Sequence, residues 1–139
     1  MSAADTPGPR EIQPVSAPIN AEPRLPGSKS LTNRALVLAA LADGESRIER
    51  ALVSDDTLYM AKALCDLGIE VTIHESGGDI QVKGYGGVIP AREADLYIGN
   101  AGTAARFLTP VLALGHGRYR LTGNLRMQQR PIEPLLSTL

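Results

Sequence analysis

Two segments of the chain repeat one design at a fixed spacing. Gly27-Ser28-Lys29-Ser30-Leu31-Thr32-Asn33-Arg34 returns as Gly99-Asn100-Ala101-Gly102-Thr103-Ala104-Ala105-Arg106, glycine on glycine and arginine on arginine; 99 − 27 and 106 − 34 are both 72. After one inserted residue the correspondence resumes, Gly44-Glu45-Ser46-Arg47-Ile48 standing over Gly117-Arg118-Tyr119-Arg120-Leu121. The period exceeds that of the common solenoids, so each copy reads as a small folded lobe rather than one thin layer. In the first copy the polar opening runs into Ala35-Leu36-Val37-Leu38-Ala39-Ala40-Leu41-Ala42, which has no polar side chain. That predicts a helix apolar on every face, sunk in a core with only its first turn in solvent.

The repeat organises the rest of the chain. Residues 1–18, with Pro7, Pro9, Pro14 and Pro18 among acids and small residues, read as a flexible extension. Residues 19–90 form the first unit: a strand over 19–25, a helix over 30–41 closed by Asp43-Gly44, and a strand over 46–52. A helix capped by Ser54-Asp55-Asp56 then runs to Leu67, and a hairpin of 69–75 and 79–83 turns at Ser76-Gly77-Gly78. Residues 91–139 repeat the order with a strand at 95–98, a helix over 103–114, a strand at 118–122 and a helix starting at Pro131. The expected class is α/β, of α+β type, built from strand-helix-strand-helix-strand-strand units around buried parallel helices. By that order the second unit is truncated, and the chain reads as the front part of something longer.

Composition narrows the class of ligand. With 43% hydrophobic residues and a formal charge of −1, the 139-residue chain has neither a disordered composition nor the basic field of a nucleic-acid binder. Cys65, the single cysteine, precludes an internal disulfide and fits a reducing, cytoplasmic setting. No apolar run is long enough to span a bilayer, and no signal core or arginine-rich transit segment is present. His74, His116 and Cys65 stand too far apart for metal-ligand spacing, so neither metal nor cofactor is expected.

The two helix openings carry the chemistry. A helix N-terminus presents unpaired N–H groups and the positive end of its dipole, which suits a phosphate or carboxylate. Lys29 adds a mobile ammonium, Ser30 a short donor, and Arg34 a fork for two bonds to a phosphate. The second opening offers Asn100, Thr103, and Gly102, whose missing side chain lets a ligand approach the backbone. Arg126-Met127-Gln128-Gln129-Arg130-Pro131 follows with two arginines and no carboxylate. If the openings are neighbours, the cleft wants a small substrate with two or more negative charges.

Each residue also has a plainer reading. Lys29 and Arg34 can be solvated charges, Gly102 a simple turn, Arg106 and Arg130 structural arginines bonded to backbone carbonyls. Asp55 and Asp56 resemble an acid pair, but their place in a first helical turn favours capping. Cys65 shares a helical stripe with Leu58 and Ala61, which favours a core thiol over a nucleophile.

At Pro26-Gly27-Ser28-Lys29-Ser30 with Asn33-Arg34, at Gly99-Asn100-Ala101-Gly102-Thr103-Ala104 with Arg106, and at Leu121-Thr122-Gly123 with Arg126-Met127 and Arg130-Pro131-Ile132, the chain resembles the 3-phosphoshikimate 1-carboxyvinyltransferases, or 5-enolpyruvylshikimate-3-phosphate synthases. The resemblance covers nearly everything from Ile19 onward. It implies a two-lobed enolpyruvyl transferase fold of repeated strand-helix units. The implied reaction moves the enolpyruvyl group of phosphoenolpyruvate onto the 5-hydroxyl of shikimate 3-phosphate, through a tetrahedral intermediate, on the route to chorismate and the aromatic amino acids. By position, the resemblance places Lys29 against both substrates, Ser30 and Arg34 on shikimate 3-phosphate, Gly102 and Arg126 on phosphoenolpyruvate, and Asn100 and Thr103 in support. It implies that the general acid and base belong to a later part of the chain, so that this portion is inert alone and needs the C-terminal portion. Unsubstituted Gly102 resembles the glyphosate-sensitive form.

Competing functions fit less well. A P-loop phosphotransferase needs glycine directly before the lysine and another five residues earlier, where this chain has Ser28 and Pro23. An enolpyruvyl transferase acting on a nucleotide sugar typically uses a loop cysteine and lacks the Gly-Ser-Lys-Ser pattern. A non-catalytic anion-binding module remains open on the residues alone.

Overall fold

The computed structural model describes residues 11–23, 25–74 and 78–139. The chain order is α1 (Lys29–Leu41), β1 (Asp43–Ile48), α2 (Asp55–Asp66), β2 (Glu70–His74), β3 (Asp79–Tyr85), β4 (Glu93–Tyr97), α3 (Gly102–Leu114), β5 (Arg118–Thr122), α4 (Leu125–Gln128) and α5 (Glu133–Leu136). The mixed α/β class expected from the sequence is the one observed. Residues 11–18 are exposed and irregular, while 1–10 lie outside the described residues, as do Ser76 and Gly77 of the expected hairpin turn.

β3 is the centre of a three-stranded sheet ordered β1-β3-β2, antiparallel to both neighbours. Its alternation is that of a half-buried strand: Ile80, Val82 and Gly84 point inward, Gln81 and Lys83 outward. Glycine at 84 is required by α1, because a Cβ there would strike the backbone carbonyls of Ala39, Ala40 and Ala42 at the helix end. β4 and β5 form a separate two-stranded parallel sheet. Leu36, Met60, Leu64, Ile80, Leu96 and Leu108, all 0% exposed, join α1, α2, α3 and both sheets in one core.

The two helices of the repeat bury equivalent positions. Thr32, Asn33, Leu36 and Ala39 of α1 correspond at the 72-residue offset to Ala104, Ala105, Leu108 and Val111 of α3, and all eight are buried.

Several expectations are corrected. Residues 19–23 and 25 form no strand, since among the described residues none pairs with them in a ladder. The strand expected over 46–52 begins and ends earlier, at Asp43–Ile48, because pairing with β3 and not local alternation sets its limits. Gly44, expected as a helix cap, takes its positive φ of 91° inside β1, and α1 closes at Ala42 in an extended conformation. α1 is not covered on all sides: Leu31 is 63% and Leu38 69% exposed, on the face turned away from α2 and the sheet. Cys65 is exposed rather than a core thiol; α2 turns Ala61 and Leu64 inward instead, and Leu58 of the same expected stripe is exposed too. α4 was not foreseen; Asn124 caps it by accepting from the Met127 N–H at 2.9 Å.

Exposed ion pairs line the outer face of the larger sheet. Asp79 accepts from Arg47 at 2.6 Å and from the Arg50 N–H at 3.2 Å, and the Arg47 guanidinium with that backbone donor holds its carboxyl below the usual carboxylate range. Glu70 is lowered likewise, first by the Tyr85 hydroxyl and then by Lys83.

Candidate functional site

α1 starts where it does because Ser28, extended at φ −85° and ψ 124°, accepts from the Leu31 N–H through its hydroxyl. Lys29 therefore occupies the first helical position. α2 starts in a capping box: the Ser54 N–H donates to Thr57 Oγ1 at 2.7 Å. One residue joins the two starts. The Leu52 N–H donates to Thr32 Oγ1 at 3.1 Å, and the Leu52 carbonyl accepts from the Thr57 hydroxyl at 2.8 Å. Both threonines are buried, so these bonds are shielded from competing water. This clamp sets Lys29 beside the first turn of α2, where Lys29 Nζ meets Asp56 Oδ2 at 3.0 Å.

The second opening is built differently. Gly99 turns the chain at φ +55°, and the Asn124 N–H donates to the Gly99 carbonyl at 2.9 Å, fixing the loops after β4 and β5 to each other. Ala101 precedes α3 and supplies no side-chain cap, so the first N–H groups of α3 are left for an external acceptor. Gly102 opens that helix against Arg130: a Cβ at 102 would collide with the Arg130 guanidinium.

The two openings share one cavity of about 640 Å³, in whose wall stand Lys29, Ser30, Arg34, Asn100, Gly102 and Thr103. Six of the seven residues singled out from the sequence are thus brought together. Arg126 is not among those lining the cavity; it lies exposed on α4. Arg106 and Arg130 do line it, as do Asp56 and Phe107. Arg106 Nη2 donates to the Pro131 carbonyl at 3.3 Å, the geometry of a structural arginine. The Arg34 guanidinium lies over the Phe107 ring, 5.9 Å from its centroid. Four cationic side chains against one carboxylate give the cavity wall a net positive charge, which favours an anion over a cation or a neutral group. Asp56 and Phe107 escape a reading of the sequence because Asp56 serves equally well as a helix-start residue and Phe107 as one more apolar residue. Among the described residues no cluster of His, Cys, Asp and Glu fit to hold a metal occurs, and no helix is long and apolar enough to cross a membrane.

Comparison with known proteins shows the family of the chain. The family model described as EPSP synthase (3-phosphoshikimate 1-carboxyvinyltransferase) matches residues 13–139. A 3-phosphoshikimate 1-carboxyvinyltransferase of a Nostoc species is 52% identical over 128 residues, covering 92% of this chain and 30% of that protein. The pentafunctional AROM polypeptide of Candida tropicalis is 50% identical over 120 residues, covering 82% of this chain and 8% of its own length. A solved EPSP synthase from Acinetobacter baumannii superimposes with a TM-score of 0.70 at 28% identity, covering 81% of this chain and 25% of that one. The chain thus spans about 30% of the length of its full-length bacterial relatives. By sequence and by fold, the chain belongs to the EPSP synthase (3-phosphoshikimate 1-carboxyvinyltransferase) family.

Proposed function

We propose that this chain supplies the anion-binding half of a site that moves the enolpyruvyl group of phosphoenolpyruvate to the 5-hydroxyl of shikimate 3-phosphate. The observation that carries the reading is the convergence of two helix openings, far apart in sequence, on one cation-lined cavity. Lys29, Ser30 and Arg34 hold shikimate 3-phosphate. Lys29 and Gly102 face phosphoenolpyruvate, with Arg130 in the cavity wall; Arg126, which the resemblance assigns to the same substrate, lies outside that wall on α4. Asn100 and Thr103 support the pocket.

The role is electrostatic and positional. Cations neutralise the phosphates and carboxylates, and the uncapped start of α3 orients an acceptor oxygen, so that two mutually repelling anions lie side by side. Proton transfer needs an acid and a base that no residue of this cavity provides in a suitable place, Asp56 being tied to Lys29. The chain alone therefore binds without turnover, and activity requires the remaining C-terminal portion. A cytoplasmic setting belongs to the same reading.

Calorimetric titration with shikimate 3-phosphate tests it. Saturable binding that is strongly weakened but still measurable in Lys29→Ala and in Arg34→Ala is expected, with turnover only when the C-terminal portion is added. Binding indifferent to both substitutions, or turnover by the chain alone, overturns it.

A further inference from the structure

The chain contains one phenylalanine, and it is not among the fully buried residues: Phe107 packs against the edge of the core. The fully buried large side chains are aliphatic, with Asn33 and Thr57 among them. Phe107 instead stands half-buried in the wall of the charged cavity, directly after Arg106 on α3. Ala105, Met127, Pro131 and Ile132 add further apolar surface to that wall, but the aromatic ring has a specific neighbour: the guanidinium of Arg34, 5.9 Å from its centroid.

The ammonium of Lys29 is held by Asp56 and a guanidinium nitrogen of Arg106 by the Pro131 carbonyl, whereas the guanidinium groups of Arg34 and Arg130 make no hydrogen bond or ion pair among the described residues, and of these two it is Arg34 that lies over an aromatic ring. A guanidinium on an aromatic ring is attracted through the ring's negative face, and this contact consumes none of its N–H donors. A carboxylate or carbonyl partner would have oriented Arg34 equally well but occupied the donors a ligand needs. Arg34 and Phe107 also come from different helices, α1 and α3, so the contact sets the reach of the first opening by the position of the second.

Building on the proposed anion site, we infer that Phe107 is a positioning residue for Arg34: its ring holds the guanidinium toward the cavity with the N–H edge free for the phosphate or carboxylate of the ligand. It acts through Arg34 and makes no bond to the ligand itself.

The test is a double-substitution cycle on this chain with shikimate 3-phosphate as the probe, read by calorimetry, together with the NMR signals of the Arg34 side chain. Phe107→Leu keeps an apolar residue but removes the ring, and Phe107→Tyr restores it. The expected result is binding about two- to fivefold weaker in Phe107→Leu, the range of an exposed cation–π contact. Tyrosine recovers it, and Phe107→Leu has no further effect in an Arg34→Ala background. The Arg34 side-chain protons carry an upfield ring-current shift without ligand, lost in Phe107→Leu and kept in Phe107→Tyr. Equal weakening with and without Arg34, or no ring-current shift, overturns the inference while leaving the anion site standing. Absence of binding by the unsubstituted chain overturns the site reading, and the ligand-free NMR signals still decide whether the ring holds the arginine.

Discussion

Lys29 Nζ and Asp56 Oδ2 lie 3.0 Å apart, one on the first turn of α1 and the other on the first turn of α2. The pair is partly exposed, with 47% of the lysine and 26% of the aspartate side chain accessible, so it adds little to stability. Its consequence is for binding: Asp56 both restrains the ammonium and repels an arriving anion. Asp56→Asn is expected to unfold at nearly the same denaturant concentration as the parent. It should bind shikimate 3-phosphate about two- to fivefold more tightly at low ionic strength, a gain that fades as salt screens the charges. Weaker binding at low salt would mean that holding Lys29 in place outweighs the repulsion.

Gly27 and Gly102 occupy equivalent-looking helix openings but predict opposite outcomes. A Cβ at Gly27 would stand 2.5 Å from the Arg50 carbonyl oxygen and 2.7 Å from the Leu52 nitrogen, and backbone cannot step aside. Gly27→Ala should destabilise by about 1–3 kcal/mol, the usual range for overpacking. At Gly102 the obstacle is the far end of a flexible arginine, so Gly102→Ala should leave stability within about 0.5 kcal/mol, helped by the helix propensity of alanine. If this opening takes phosphoenolpyruvate as proposed, displacing Arg130 and narrowing the cavity should instead weaken that binding. Urea titrations of both variants and calorimetric titration with phosphoenolpyruvate check the contrast.

Acid should weaken the larger sheet through Asp79 and Glu70. Both carboxyls are lowered in the folded chain, so the folded state releases their protons more readily than the unfolded state does. Their stabilisation is present above the ordinary carboxylate value, about 4, and is lost as pH falls through the lowered values. The urea midpoint of the parent should therefore decline below about pH 4 more steeply than that of Asp79→Asn, which has no charge at that position to lose. Parallel declines of the two proteins would remove Asp79 from the account.

Asn33 is 0% exposed, and neither atom of its amide has a hydrogen-bond partner among the described residues. A buried unpaired amide opposes folding, whereas truncating a well-packed residue ordinarily lowers stability. The equivalent position of the second unit is Ala105, also buried. Asn33→Ala is therefore expected to unfold at the same or a higher temperature, by up to about 1 kcal/mol in stability. A loss of 2 kcal/mol or more, measured by denaturant titration, would require a partner for the amide.

Much of the local structure was legible in the residues themselves. Ser54 marks the start of α2 as its residues suggest, because a cap acts within three residues: its N–H donates to Thr57 Oγ1. The β5 limits, Arg118–Thr122, match the reading from local pattern. β1 did not, because its partner β3 lies over thirty residues away and only the ladder between them sets where the strand begins. The expected strand before Pro26 failed for the complementary reason: its composition allows extension, but among the described residues no strand pairs with it. The chain's family was legible because three separated motifs stand in one order, a property of the sequence alone.

What the sequence determined by itself was the pair of polar helix openings, the apolar helices behind them and the 72-residue spacing that relates them. Capping, propensity and hydrophobicity act over a few residues and need no partner. The tertiary structure decided which face of α1 is covered, since a helix apolar all round has no preferred side until α2, α3 and the sheet pack against it, leaving Leu31 and Leu38 exposed. It also decided that Lys29 meets Asp56, that Arg34 lies over Phe107 and that Arg130, not Arg126, lines the cavity. Those relationships join side chains far apart along the chain, and only the packing of the elements that carry them brings such groups within a few ångströms.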